Sequence, residues 1–205
     1  IGAILSFLGA AVTGLPAPLA AIQVLWVNII MDGPPAIALG VDPARPGLMN
    51  DPPRHTGERI LNLHRLGRMF RSGLVMAVGT LGVLTWSMHA WTEAVALTMA
   101  FTTFVLFQFF NALNARSEHT TVFRRETLTN RWLWLSFGVV VALQVAIVQI
   151  PLLATVFDTT ALDLGQWVMC TVIAASVLFV EEAVKLVSRL ARGGERERSV
   201  GPVGG

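Results

Sequence analysis

The chain has 205 residues, of which 54% are hydrophobic and only 14% charged, and its mean hydropathy is +0.63. These values lie outside the range of ordinary soluble domains and predict a polytopic membrane protein embedded in a lipid bilayer. The formal net charge of +2 comes from basic residues gathered in three stretches, which indicates membrane topology and gives no support for nucleic-acid binding. The single cysteine, Cys170, excludes an internal disulfide framework.

The first apolar stretch, residues 1–13, would be about 20 Å long as a helix, which is short of the roughly 30 Å hydrocarbon core. We interpret it as the second half of a truncated helix. It lacks a basic leader segment, so it does not have the pattern of a signal peptide. The sequence GLPAP at residues 14–18 then predicts a tight turn.

The second apolar stretch, residues 19–39, contains an acid, Asp32, and the consecutive prolines Pro34 and Pro35. An acid at the bilayer centre costs at least about 2.5 kcal/mol, so it indicates a functional site. The alternative is a proline-kinked helix in which a protonated Asp32 bonds to a neighbouring helix.

Asn28 and Asp32 are four residues apart, a spacing that stacks two side chains on one face of a helix. The two prolines carry no N–H, so the carbonyls of Ile30 and Met31 lose their partners within the helix. Carboxylate, amide and backbone oxygens are the ligands that hard cations take, and broken helices bind ions in transporters. We therefore predict a helix broken at Asn28–Pro35, with a cation held by Asn28, Asp32, Ile30 and Met31.

Residues 40–66 are rich in Pro and Arg and predict an aqueous loop. Each of the apolar runs that follow is close to the ~20 residues that a spanning helix requires. These runs are residues 69–88, 94–113, 132–153 and 167–187. The prediction is an all-α integral membrane protein with six membrane-crossing helices, the first truncated and the second broken.

Lys and Arg are confined to residues 40–72, 116–131 and 185–198, which all lie on one side of this topology. By the positive-inside rule that side is cytoplasmic, as are both ends of the chain. We expect residues 1–192 to form one membrane domain with a cytoplasmic loop at 40–66. Residues 193–205 are rich in Gly and charge and predict a disordered cytoplasmic tail.

The motif LWVNIIMDGPPAIALGVDP, residues 25–43, resembles the sixth transmembrane helix of P-type calcium-transporting ATPases. Its variant with Met31 followed by DGPP is most similar to the secretory-pathway calcium/manganese pumps. The segments GVDP and LMNDPPR, within residues 40–54, are similar to a cytoplasmic loop of these pumps, and FTTFVLFQFFNALNARS, residues 101–117, to their eighth helix. The resemblance runs from the end of the fifth helix through the tenth.

This resemblance implies the cation-binding membrane part of an ATP-driven calcium or manganese pump. Two-site calcium pumps have Glu, Thr and Glu where this chain has Ala3, Met31 and Gln108, so the resemblance implies one ion site, built around Asn28 and Asp32. Gln108 is better explained as a hydrogen-bonding contact between helices.

The resemblance also implies parts that these residues do not contain. These are the N-terminal helices and the cytoplasmic phosphorylation, nucleotide and actuator domains, through which Mg-ATP would act. We therefore expect no ATPase activity and no tight calcium binding from this chain alone. The loop implies a coupling role for Asp42, Asp51 and Arg54.

Two other interpretations stay open. A self-sufficient six-helix secondary transporter or channel predicts a second broken helix, and no other run has a proline pair or a central acid. A non-catalytic partner of a complete pump would share the resemblance without supporting the reaction.

Overall fold

The computed structural model describes residues 1–31, 33, 63–116 and 131–199, and all regular structure in these ranges is helical. The elements are α1 (Gly2–Thr13), α2 (Ala21–Trp26) with a π-helical turn (Val27–Met31), α3 (Leu63–Ala90), α4 (Glu93–Arg116), α5 (Arg131–Gln149), α6 (Pro151–Phe157) and α7 (Leu164–Ser199). The all-α class is thereby confirmed for this part of the chain.

Helix α1 packs lengthwise against α3, and glycines allow the two backbones to approach closely. A Cβ atom added at Gly9 would lie 2.4 Å from Leu81 Cδ1, and one at Gly73 would lie 2.8 Å from Ile1 Cγ2. Helix α1 ends at Gly14, whose φ of 69° lies in the left-handed region that glycine adopts without strain. The chain then turns towards α2.

Helix α4 is the centre of the bundle and contacts α3, α7 and the π-helical turn. Its middle residues Met99, Phe101, Phe104 and Phe107 are fully buried. A helix that is apolar on every side is typical of a core helix with protein on all its faces.

An ion pair joins α3 to α7 near one end of the bundle. Arg71 donates to both carboxylate oxygens of Glu181, from Nε to Oε1 at 3.2 Å and from Nη2 to Oε2 at 2.8 Å. The Ser72 hydroxyl also donates to Glu181 Oε1 at 2.9 Å. Glu181 is buried, so its charge needs the opposite charge of Arg71, and the Ser72 hydroxyl adds a further hydrogen bond.

The single helix predicted over residues 132–153 is broken near its end. Helix α5 ends at Gln149, Ile150 is extended, and α6 begins at Pro151, with an angle of 91° between the two helices. Pro151 has no N–H for a continuing helix and its ring would clash with the preceding turn, whereas proline is well suited to the first position of a new helix.

Three described helices are long and apolar enough to cross a membrane: Leu66–Ala90, Glu93–Asn114 and Leu164–Val184. The bent pair α5–α6 is a fourth if it counts as one span. Six crossings are therefore not confirmed. Helix α1 has only 12 residues, and the second predicted crossing continues outside the described residues.

The backbone of α7 is helical up to Ser199, whereas composition predicts disorder from residue 193. Residues 200–205 lie outside the described part of the chain.

Candidate cation site

The first turn of α2 is closed by a side chain that serves as its cap. The Ala20 N–H donates to Gln23 Oε1 at 3.0 Å, and the Gln23 N–H donates to the Ala20 carbonyl at 3.0 Å. This reciprocal pairing satisfies backbone groups that a helix start leaves open. This pairing marks the start of α2, whose N-cap is Ala20.

Helix α2 has two distinct faces. Gln23 and Val27 are buried and Trp26 is half-buried, so these three residues form the face that packs on the bundle. The opposite face carries Asn28 and three apolar residues, all of them exposed: Ile22, Leu25 and Ile29. Asn28 therefore points away from the described helices of this chain.

The α-helical geometry of α2 ends at Trp26, and Val27–Met31 form a π-helical turn. Each hydrogen bond of a π-helix spans five residues, and single π turns occur frequently at functional sites. The turn overlaps the start of the break predicted at Asn28–Pro35, and it includes Ile30 and Met31, whose carbonyls the proline argument leaves open. Asn28 lies within this turn and is the predicted ligand whose side chain the structure describes.

The other predicted site residues are described in part or not at all. The backbones of Ile30 and Met31 belong to the π-helical turn, but their side chains lie outside the described part of the chain. Asp32 lies outside it entirely, so its separation from Asn28 stays a prediction. The coupling residues Asp42, Asp51 and Arg54 also lie outside the described residues.

Two positions that differ from two-site calcium pumps lie within the described helices. Ala3 on α1 packs against the hydrophobic core, and Gln108 on α4 is half-buried. Among the described residues, no group of three or more His, Cys, Asp or Glu side chains is placed to hold a metal ion. A cation at the π-helical turn therefore needs Asp32 or groups from other segments.

Sequence reasoning missed the polar contacts that hold α2 in place. The Trp26 indole N–H donates to Gln144 Oε1 on α5 at 3.1 Å, and the Trp26 ring meets Phe157 of α6 edge-on at 5.3 Å. Gln23 Nε2 donates to the carbonyls of Phe157 at 2.9 Å and Asp158 at 3.4 Å. The available signal was the pair of glutamines within otherwise apolar runs, since buried amides need partners.

Comparison with known proteins places these features in a family. Residues 16–187 match the family model for the C-terminus of cation transporting ATPases. The chain is 40% identical over 184 residues to the mouse calcium-transporting ATPase type 2C member 2, and this match covers 85% of the chain and 19% of the relative. It is 36% identical over 177 residues to calcium-transporting ATPase 1 of Yarrowia lipolytica, covering 86% of the chain and 19% of that relative.

Calcium-transporting ATPase 1 of Saccharomyces cerevisiae is 35% identical over 177 residues, with 85% of the chain and 19% of the relative covered. The chain thus spans about a fifth of the length of the curated relatives it matches. The resemblance to the secretory-pathway calcium pumps is confirmed over most of the chain. The chain belongs to the cation-transporting ATPase family and corresponds to its C-terminal membrane part.

Proposed function

We propose that this chain is the membrane-embedded cation-binding part of an ATP-driven pump that transports calcium or manganese through a single site. The observation that carries the proposal is the π-helical turn around Asn28, within a segment that closely resembles the sixth helix of calcium pumps. The names of the relatives, all calcium-transporting ATPases, support calcium as the cargo.

The proposed site holds the ion through oxygen atoms. Asp32 contributes negative charge, Asn28 a neutral side-chain oxygen, and Ile30 and Met31 backbone oxygens. Calcium takes about six to eight oxygen ligands, so water or other segments of the pump supply the rest. The exposure of Asn28 supports this division, because it leaves room for ligands from outside the chain. The Met31 thioether would be tolerated beside manganese.

The proposed reaction cycle depends on parts of the pump beyond this chain. Mg-ATP phosphorylates an aspartate in a cytoplasmic domain, and the loop at residues 40–66 transmits the change to the broken helix. In the proposed topology, both ends of the chain lie on the cytoplasmic side of the membrane throughout the cycle. On this account, Arg54→Ala slows turnover and leaves the apparent affinity for Ca2+ intact. An unchanged turnover rate would contradict the coupling role proposed for Arg54.

The direct test is Ca2+-dependent phosphorylation from ATP in the full-length protein. We expect Asp32→Asn and Asn28→Ala each to raise the half-saturating Ca2+ concentration at least about tenfold, since each removes or weakens a ligand in a site with few of them. Asp163→Asn is the matched control, because Asp163 caps α7 through a 2.8 Å bond from the Gln166 N–H and asparagine caps equally well. Unchanged Ca2+ dependence in both site variants would refute the site.

The same preparation separates the other two interpretations. A self-sufficient transporter or channel would move Ca2+ into vesicles without ATP and without a phosphorylated intermediate. A non-catalytic partner would form no phosphorylated intermediate itself but would alter that of a separate pump. Phosphorylation of the polypeptide that carries this chain favours the pump over both.

A further inference from the structure

The residues that hold α2 lie on the opposite side of the helix from Asn28. Trp26 and Asn28 are two positions apart, which corresponds to a rotation of about 200° at the 3.6 residues per turn of an α-helix and to a somewhat smaller angle in the wider π-helical turn that begins at Val27. Trp26 faces α5 and α6, whereas Asn28 is exposed. Any contact that fixes the rotation of Trp26 therefore also fixes the direction in which Asn28 points.

Two kinds of contact fix that rotation. The hydrogen bond from Trp26 Nε1 to Gln144 Oε1 sets the direction of the indole ring, and the edge-on contact with Phe157 limits its tilt. One turn earlier, Gln23 binds the carbonyls of Phe157 and Asp158, just where α6 ends. The first half of the broken helix is thus tied at two levels to the corner formed by α5 and α6.

The hydrogen bond between Trp26 and Gln144 ends on a buried amide, so its loss would leave polar atoms without partners inside the bundle. Gln144 is 1% exposed, and its Nε2 atom has no partner within the described part of the chain. The Trp26 indole N–H is therefore the described group that pairs with Gln144, and it satisfies the Oε1 atom of the amide. Without it, both polar atoms of Gln144 would be buried and unpaired, which drives side chains and helices to rearrange.

We propose that Gln144 on α5 is a positioning residue for the cation site, which acts through Trp26 to hold Asn28 towards the ion. This inference rests on the function proposed above and deepens it, since Gln144 and Trp26 contact no ion themselves. Outer partners that orient a ligand typically change metal affinity by about 10–100-fold when they are removed. The hydrogen bond lies two residues from the ligand, so the low end of that range applies.

The test uses the full-length protein with three variants: Trp26→Phe, which keeps an aromatic ring but removes the indole N–H donor, Gln144→Leu, which removes the acceptor, and the double variant. Two quantities are measured for each: the half-saturating Ca2+ concentration for phosphorylation, and the thermal midpoint. The midpoint is followed by reaction of buried Cys170 with a thiol dye as the bundle unfolds, with cysteines outside this chain replaced.

The two single variants are expected to raise half-saturating Ca2+ about tenfold, at the low end of the range for outer partners, with little change in the maximal phosphorylation level. The double variant removes both the indole N–H donor and the amide, so neither group is left without its partner. Its thermal midpoint therefore returns towards that of the wild type. Its half-saturating Ca2+ stays raised, because the hydrogen bond that sets the direction of residue 26 is still missing, although Gln23 still ties the preceding turn to Phe157 and Asp158. A role limited to stability would instead restore both quantities together, and that result would overturn the inference.

Two further variants complete the design. Gln149→Leu removes another glutamine contact of α5, the 2.7 Å bond from Nε2 to the Leu162 carbonyl, and is expected to leave the Ca2+ dependence unchanged. Asn28→Ala separates the two proposals. If it raises half-saturating Ca2+ while Trp26→Phe and Gln144→Leu do not, the positioning role is refuted and the proposed cation site is retained. If Asn28→Ala has no effect, the proposed site itself fails.

Discussion

The ion pair between Arg71 and Glu181 gives the most direct test of how the bundle is held together. Replacing Arg71 by Met leaves a carboxylate, whose side chain is only 5% exposed, with the Ser72 hydroxyl as its one remaining described partner. Breaking a buried pair in this way typically costs about 3–5 kcal/mol. The Arg71 side chain is 33% exposed, so solvent weakens the pair, and we expect a loss near the lower limit, about 3 kcal/mol.

Replacing both partners by apolar residues has a different effect. Arg71→Met combined with Glu181→Leu removes the buried charge together with its partner, and such replacements are often neutral or stabilising. We expect the double variant to lose no more than about 1 kcal/mol of stability, and Glu181→Leu alone to cost about 0 kcal/mol or more because the partly exposed Arg71 can still reach solvent. Against the loss of about 3 kcal/mol for Arg71→Met, these values imply a coupling of at least about 2 kcal/mol between the two residues. Ser72→Ala provides a graded comparison, with a loss of about 1.5 kcal/mol for one bond to a charged acceptor.

The assay is the thermal midpoint of the full-length protein, reported by the reaction of buried Cys170 on α7. The dye reports unfolding of the helix bundle that contains Cys170, and we take this chain of 205 residues as the unfolding unit. One kcal/mol then corresponds to about 2–4 °C, so Arg71→Met should lower the midpoint by about 6 °C or more. Additive effects of the two single substitutions, with a coupling below about 0.5 kcal/mol, would refute the assignment of Glu181 as a charge neutralised by Arg71.

Two further predictions concern glycines. Gly79→Ala should cost about 1–3 kcal/mol of stability by overpacking, because the new Cβ would lie 2.4 Å from Phe107 Cζ. The control is Gly82→Ala on the same helix, which has open space around it and should be neutral or slightly stabilising in the same thermal assay. Gly14→Ala should cost about 1–2 kcal/mol although nothing lies within 4 Å, since its φ of 69° disfavours any side chain; equal stability of this variant and the wild type would contradict that reasoning.

The sequence predicted the apolar helices better than their connections. Helices α3, α4 and α7 contain long unbroken apolar runs, so length alone located their membrane-compatible parts to within about three residues at each end. The same criterion failed for α5, because a run of apolar residues continued past Pro151 and concealed the corner there. Pro151 is the stronger local signal of a helix break, but the prediction followed the hydropathy of the run.

The candidate site was predicted from motif and spacing, which single out Asn28 but not what holds it. Contacts such as Trp26 with Gln144 join residues 118 positions apart, and no local pattern specifies such a pairing. The partner of Glu181 was equally beyond local reasoning, since Arg71 is 110 positions away. Long-range polar contacts inside a bundle depend on which helices become neighbours, and hydropathy does not encode that choice.

The burial of α4 has a practical consequence for mapping the molecule in its membrane. A photoactivated carbene reagent dissolved in the acyl chains reacts only with side chains that touch lipid. It should label outward residues of α7 such as Val172 and Phe179, while the stretch from Met99 to Phe107 remains unlabelled. Additional subunits or helices can shield more of the outer surface but cannot expose this central stretch, so its protection offers a footprint of the intact bundle.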